Sequence, residues 1–300
     1  QNFPIAFGII KEKSIEVFSH FFNHIRDKTS MMPNNILTSC ELNLHEALRV
    51  SFPDATIKIL WFFYASSVLK HAKENGSLSL INKSLFHLSS LKMILAIPLI
   101  PANYMVPGLD ALKKWMFEKS VQESFDGLCE FIDATWLNSD GAEKISIFNG
   151  LSHSINNYVQ IFNRDLLNSL SYNDLTKDKL LEAIIKQLTK IVTKFNKSKG
   201  PPVLKKSQKL QKTILETATH NWIKANIHLR RPIQFLQQVS HCIDDGVINF
   251  VINYGGERSS DTFRVEETSL DSTPQTPACM TEPPPLIFFN QKNANKIATV

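Results

Sequence analysis

NILTSCELNLHEALRVSFPDATIKILWFFY, residues 35–64, is the stretch that decides the fold class. It opens on the turn chemistry of Met32-Pro33-Asn34-Asn35, and NILTSC (35–40) reads as a short strand. LNLHEALRVSF (42–52) spaces its apolar residues as a helix does and is closed by Pro53, which cannot continue one. TIKILWFFY (56–64), rich in β-branched and aromatic side chains, predicts another strand. Upstream, FPIAFGII (3–10) is a short apolar run bounded by Lys11-Glu12-Lys13 and predicts a first strand. In IEVFSHFFNHIRDK (15–28) the residues Ile15, Phe18, Phe22 and Ile25 recur every three or four positions, a helix. Strands separated by helices imply right-handed crossovers and a sheet that is at least partly parallel, so this end of the chain is expected to be α/β.

From about residue 66 to 250 the pattern is almost entirely helical. LFHLSSLKMIL (85–95), ALKKWMFEKSVQESFDGLCEFIDATWL (111–137), SINNYVQIFNRDLLNSL (154–170), KLLEAIIKQLTKIVTKF (179–195) and QKLQKTILETATHNWIKAN (208–226) all carry apolar residues at helical intervals. After Tyr254 the chain turns to Gly, Ser, Thr and Pro, and residues 255–300 are expected to be a disordered tail. The most apolar stretch, MILAIPLI (93–100), is too short to span a bilayer and contains Pro98. No charged segment precedes the opening apolar run, so no secretory signal is read, and the sequons at Asn75, Asn82 and Asn196 carry no weight. A nuclear or cytoplasmic protein that is neither secreted nor in a membrane is expected. Cys40, Cys129, Cys242 and Cys279 show neither CxxC spacing nor a pairing pattern, which speaks against a zinc ribbon and a disulfide framework. Beginning in mid-strand on Gln1, the sequence reads as a fragment or as the product of a gene without its 5′ part.

Charge is concentrated. The 300 residues carry a net +5, yet residues 177–212 hold eleven lysines against Asp178 and Glu182, a local +9. Lys186, Lys190 and Lys194 recur every four residues along one helix face, and Lys197, Lys205 and Lys206 follow around the Gly200-Pro201-Pro202 break. Such a stripe can neutralise phosphates without reading sequence. A solvated helix face is the alternative. Arginine, the side chain that reads base edges, is sparse: only Arg26, Arg49, Arg164 and Arg230 come before Arg231. DNA is the one partner suggested, and no small-molecule ligand is.

Three motifs occur in a telling order. Phe52-Pro53-Asp54-Ala55 leads into the segment bearing Trp61; LAIPLIP (95–101) follows; then INNYVQ (155–160) opens a helix. Over roughly residues 3–170 this order resembles the catalytic domain of MULE-type (Mutator-like) transposases. The resemblance implies a partial ribonuclease-H-like sheet over 1–170 with a large helical insertion at about 66–145, followed by a helical Lys-rich region over 171–254. It also implies an ancestral reaction, DNA strand transfer by paired divalent ions held by three acids.

Those acids are missing. The first belongs upstream of Asn2 and Phe3, outside the sequence. The second falls on Ser39 and the third on Gln160, neither of which brings the negative charge that holds Mg²⁺ against its hydration. The family's Cys-Trp-x-His strand is altered too, with Leu60 and Phe63 at the Cys and His positions. The expectation is a transposon-derived protein that is not an enzyme, has no metal or other cofactor and binds DNA through its lysines. One alternative is an active Mg²⁺-dependent transposase with Glu41 as substitute acid; on a continued strand Glu41 would share a face with Ser39, although an acid at a helix start is the simpler reading. Another is a helical interaction scaffold unrelated to transposases.

Other clusters read as structural. His20 and His24 stand four apart on a helix but lack the Glu of a zinc hydrolase and are expected to pack at its edge. His220, His228, His241 and Cys242 have no ligand spacing. Trp115, Phe117, Phe125 and Trp136 read as core rather than as a ligand cage.

Overall fold

In a computed structural model of the chain, the described residues are 6, 8, 10, 12–138, 141–148, 162, 164–166, 168–169, 177–197, 206–243, 245–256 and 288–289. The fold is α/β and rich in helix, with one small sheet. The chain divides into two compact units: residues 1–57, 156–204 and 284–300 form one, and residues 58–155 and 205–283 the other. Most of the expected strand at 3–10, most of the expected helix at 154–170 and all but four residues of the expected tail lie outside the described residues.

In the first unit, α1 spans Ile15–Thr29. Ser14 caps its start by accepting from the Val17 N–H at 3.3 Å, and Glu16 and Arg26 sit at the ends where the helix dipole favours them. Ser30, in the left-handed region at φ 52°, closes it through its N–H to the Arg26 carbonyl. The inward stripe is Phe18, Phe22 and Ile25; Ile15, one turn earlier, is exposed. β1 (Asn35–Thr38) turns Ile36 and Thr38 inward, and α2 (Leu42–Ser51) covers it with Leu44, Ala47 and Leu48. β2 (Thr56–Ile59) lies beside β1, the Thr56 N–H bonding the Asn34 carbonyl at 2.9 Å. β1 is central, because the two-residue β3 (Phe288–Phe289) pairs antiparallel on its other edge. Phe18, Phe22, Ile36, Leu44, Leu48 and Phe52 form the core, each large side chain stabilising by about 1.5–3 kcal/mol.

In the second unit, α3 spans Trp61–Glu74, which corrects the strand expected over 56–64: extended structure stops at Ile59. The reason lies beyond the aromatic run. Trp61, Tyr64, Ala65, Val68 and Ala72 are all buried, a three-and-four spacing visible only over the whole helix. The helix α4 (Leu85–Leu95) leaves carbonyls at its C-terminal end without donors of its own. The Trp61 indole N–H donates to the Leu95 carbonyl at 2.8 Å and the Tyr64 hydroxyl to the Ile94 carbonyl at 2.8 Å, both buried. Burial holds the pKa of that phenol well above its ordinary value, so the hydroxyl keeps the proton it donates.

MILAIPLI, which ends α4 and continues into a tight turn at Ile97–Leu99, is buried throughout. The Pro98 carbonyl accepts from the Ile147 N–H at 2.9 Å and the Ile100 carbonyl from the Ser146 hydroxyl at 3.2 Å. α5 (Met105–Glu118) crosses so closely that a Cβ on Gly108 would meet Ile100 Cδ1 at 2.6 Å. The single helix expected over 111–137 is therefore two: α5 ends near Ser120, at φ 56°, and α6 (Asp126–Ile132) runs on into a wide π turn at Asp133–Leu137. A short α7 (Gly141–Ile145) follows. The later helices are α8 (Lys177–Lys197) in the first unit, and α9 (Lys206–Lys224), α10 (Pro232–Ser240) and α11 (Asp245–Gly256) in the second. α10 packs on α4 and α5, α11 on α3, and Lys92 pairs with Asp245 at 2.9 Å.

No helix among the described residues is long and apolar enough to cross a membrane. Cys40 is disulfide-bonded, although the cysteine spacing in the sequence shows no pairing pattern. Cys129 and Cys242 are free and buried, and burial pushes their thiols up to about 12 and about 11.

Candidate functional site

The end of β1 carries Thr38 and Ser39, at 3% and 5% exposure, and neither hydroxyl has a hydrogen-bond partner. The Ser39 carbonyl accepts from Nε2 of buried His45 on α2 at 2.7 Å; since a carbonyl can only accept, that nitrogen carries the proton. Glu41 occupies the cap position of α2 and pairs with Lys13 Nζ at 3.5 Å. Because the strand stops at Thr38, the alternation that would put Glu41 on the face of Ser39 does not reach it. Leu60 is buried ahead of α3 and Phe63 lies half-buried on it, in helix rather than strand. Gln160 lies outside the described residues.

What this corner offers a divalent ion is neutral hydroxyl oxygen. Two orphaned hydroxyls do not match the anionic donor set that a Mg²⁺ pair requires, so no step of strand transfer is derived through them. Among the described residues no three His, Cys, Asp or Glu side chains gather at metal-binding distance. His20 and His24 are exposed on α1, not packed at its edge, and His220, His228 and His241 are exposed as well. Cys242 is buried, its thiol donating to the Gln211 carbonyl at 3.3 Å.

The lysines are laid out on α8. One side of this helix packs Ala183 and Ile184 against Leu166, with Leu180 and Leu188 half-buried beside them. Lys186, Lys190 and Lys197 are exposed and form no ion pair with a described residue. At 3.6 residues per turn the three project within about 40° of one another. Lys194 and Lys206 lie in helices but their side chains are not among those described, and Lys205 lies outside the described residues. A third side, unanticipated from sequence, exposes Leu181, Ile185 and Val192.

Two aromatic features also departed from expectation. Phe125 and Trp136 are core, but Phe117 is 71% exposed and Trp115 only half-buried, edge-on to Phe86 at 6.1 Å. In the second unit Trp222 stands edge-on to Tyr104 at 5.0 Å and to Phe235 at 5.2 Å. The Arg230 guanidinium lies 6.0 Å from the Tyr104 ring and 5.8 Å from the Trp222 ring. Residues so far apart in the chain give no local signal of this cluster.

No protein family, no curated protein and no solved structure matches the chain.

Proposed function

We propose that this is a transposon-derived nuclear protein of MULE type that no longer transfers DNA strands and that contacts nucleic-acid phosphates through the lysine face of α8. The observation that carries the binding half is the alignment of Lys186, Lys190 and Lys197, exposed and without acidic partners among the described residues. Like charges four apart on a helix repel one another, a cost that a polyanion removes. The inactive half rests on the motif resemblance together with the neutral oxygens of Thr38 and Ser39 where an acid is needed.

The test is duplex-DNA affinity as a function of salt. Each phosphate contact contributes about 0.9 to the slope of log K against log salt. Changing the three lysines to Gln is expected to reduce the slope by about 2–3, and an unchanged slope excludes this face. A second reading, a helical interaction scaffold, is favoured by Trp61 starting a helix where the resemblance implies a strand. It predicts no salt-dependent DNA binding at all.

A further inference from the structure

We propose that the turn carrying Arg230 docks a peptide segment in which a carboxylate side chain is flanked by apolar residues. Trp222 is only 5% exposed, yet its indole N–H has no acceptor, and the shielded Nε of half-buried Arg230 has none either. Native proteins leave few buried donors unmet, because each forfeits its bond to water without replacing it. Arg230 is held over the rings of Tyr104 and Trp222, a contact that engages the face of the guanidinium and leaves its N–H edge for an acceptor. Two unmet donors in one cluster, one of them charged, call for an anionic oxygen pair. A carboxylate provides that, with opposite charge and two acceptor atoms.

The surroundings specify the rest. The tight turn Ile227–Leu229 exposes Ile227 at 59% and Leu229 at 68%, and the last turn of α9 exposes Ile223 at 49%. From Thr217 to Ile243 the chain has no acid, while Lys224, Arg230 and Arg231 are basic. Such a field draws an anionic partner, and an aliphatic rim gives it apolar side chains to cover. Nucleic acid fits less well: a phosphodiester strand has nothing to place on Ile227 and Leu229, and Trp222 is too buried to serve as a stacking platform. The site uses none of the α8 lysines and stands whether or not α8 binds DNA.

The experiment follows the indole N–H resonances of the full ¹⁵N-labelled chain, with Trp222→Phe identifying the one that matters. The probes are N-acetyl-Leu-Glu-Leu-amide, its Gln counterpart, inorganic phosphate and an oligothymidine. The Glu peptide is expected to shift the Trp222 resonance saturably, with the Gln peptide about tenfold or more weaker. Arg230→Gln brings the Glu peptide down to the level of the Gln peptide and leaves the other indole resonances in place. Leu229→Asp, at an exposed position that leaves folding intact, weakens the Glu peptide as well. Equal binding of the two peptides, no shift at millimolar concentration, insensitivity to Leu229→Asp, or tighter binding of phosphate or oligothymidine overturns the proposal.

Discussion

Tyr64→Phe isolates one hydrogen bond with little change of shape. The hydroxyl donates to the Ile94 carbonyl at 2.8 Å in a buried setting at the end of α4, where the one capping N–H, of Ala96, is shared among the carbonyls of Lys92, Met93 and Ile94. Phenylalanine keeps the ring, so the edge-on contact with Trp136 at 5.6 Å survives and the loss is confined to the bond and the stranded carbonyl. A buried acceptor left without its donor costs about 1–3 kcal/mol. With a urea m-value near 3 kcal/mol/M, the unfolding midpoint falls by about 0.3–1 M. Trp61→Phe removes the companion bond to Leu95 and ring volume too, and is expected to cost about 2–4 kcal/mol. The assay is urea unfolding followed by far-ultraviolet circular dichroism. A Tyr64→Phe midpoint within 0.1 M of the parent, at unchanged m, refutes the assignment of this pair as the cap of α4.

Two further outcomes follow from burial. Ser39→Asp restores the acid that the resemblance implies, but in a place shielded from water; the carboxyl's pKa is raised, and its cost grows from about pH 4 upward to roughly 1–3 kcal/mol at neutrality. Thermal unfolding at pH 5 and pH 7 measures this, and a variant stabilised at pH 7 by millimolar Mg²⁺ would show that the corner is a metal site after all. For Cys129 and Cys242 the folded thiols titrate at about 12 and about 11 against an ordinary 9.0, so their contribution is whole below pH 9 and is lost as pH rises toward those values. Stability should drop by about 1.4 kcal/mol per pH unit for each thiol over the first units above pH 9. Urea midpoints at pH 9 and 10.5 should converge on a shallower slope in Cys129→Ala, and identical slopes count against it.

The helices α1, α2 and α4 were legible because their apolar residues keep step with a turn, and the end of α2 because Pro53 cannot continue it. The start of α3 was not, because Trp61 to Tyr64 is an unbroken aromatic run with no phase of its own. The break in the middle of 111–137 was hidden too, since a Ser rather than a Gly takes the left-handed position at residue 120. Spacing showed the lysine face of α8. It could not show that Leu181, Ile185 and Val192 stay uncovered, because periodicity counts apolar residues without saying what lies against them. The missing partners of Trp222 and Arg230 are likewise properties of packing, invisible until Tyr104 and Phe235 are brought beside them.

The chain passes from one compact unit to the other four times, after residues 57, 155, 204 and 283. No single cut can therefore release either body whole. During synthesis the sheet of the first unit must wait for α8 to leave the ribosome before its own second core cluster can close, and the helices around α3 wait for α10 and α11. Fragment expression of 1–170 or 171–254 would sever both bodies at once. A soluble half of this protein has to be made by joining discontinuous segments, not by truncation.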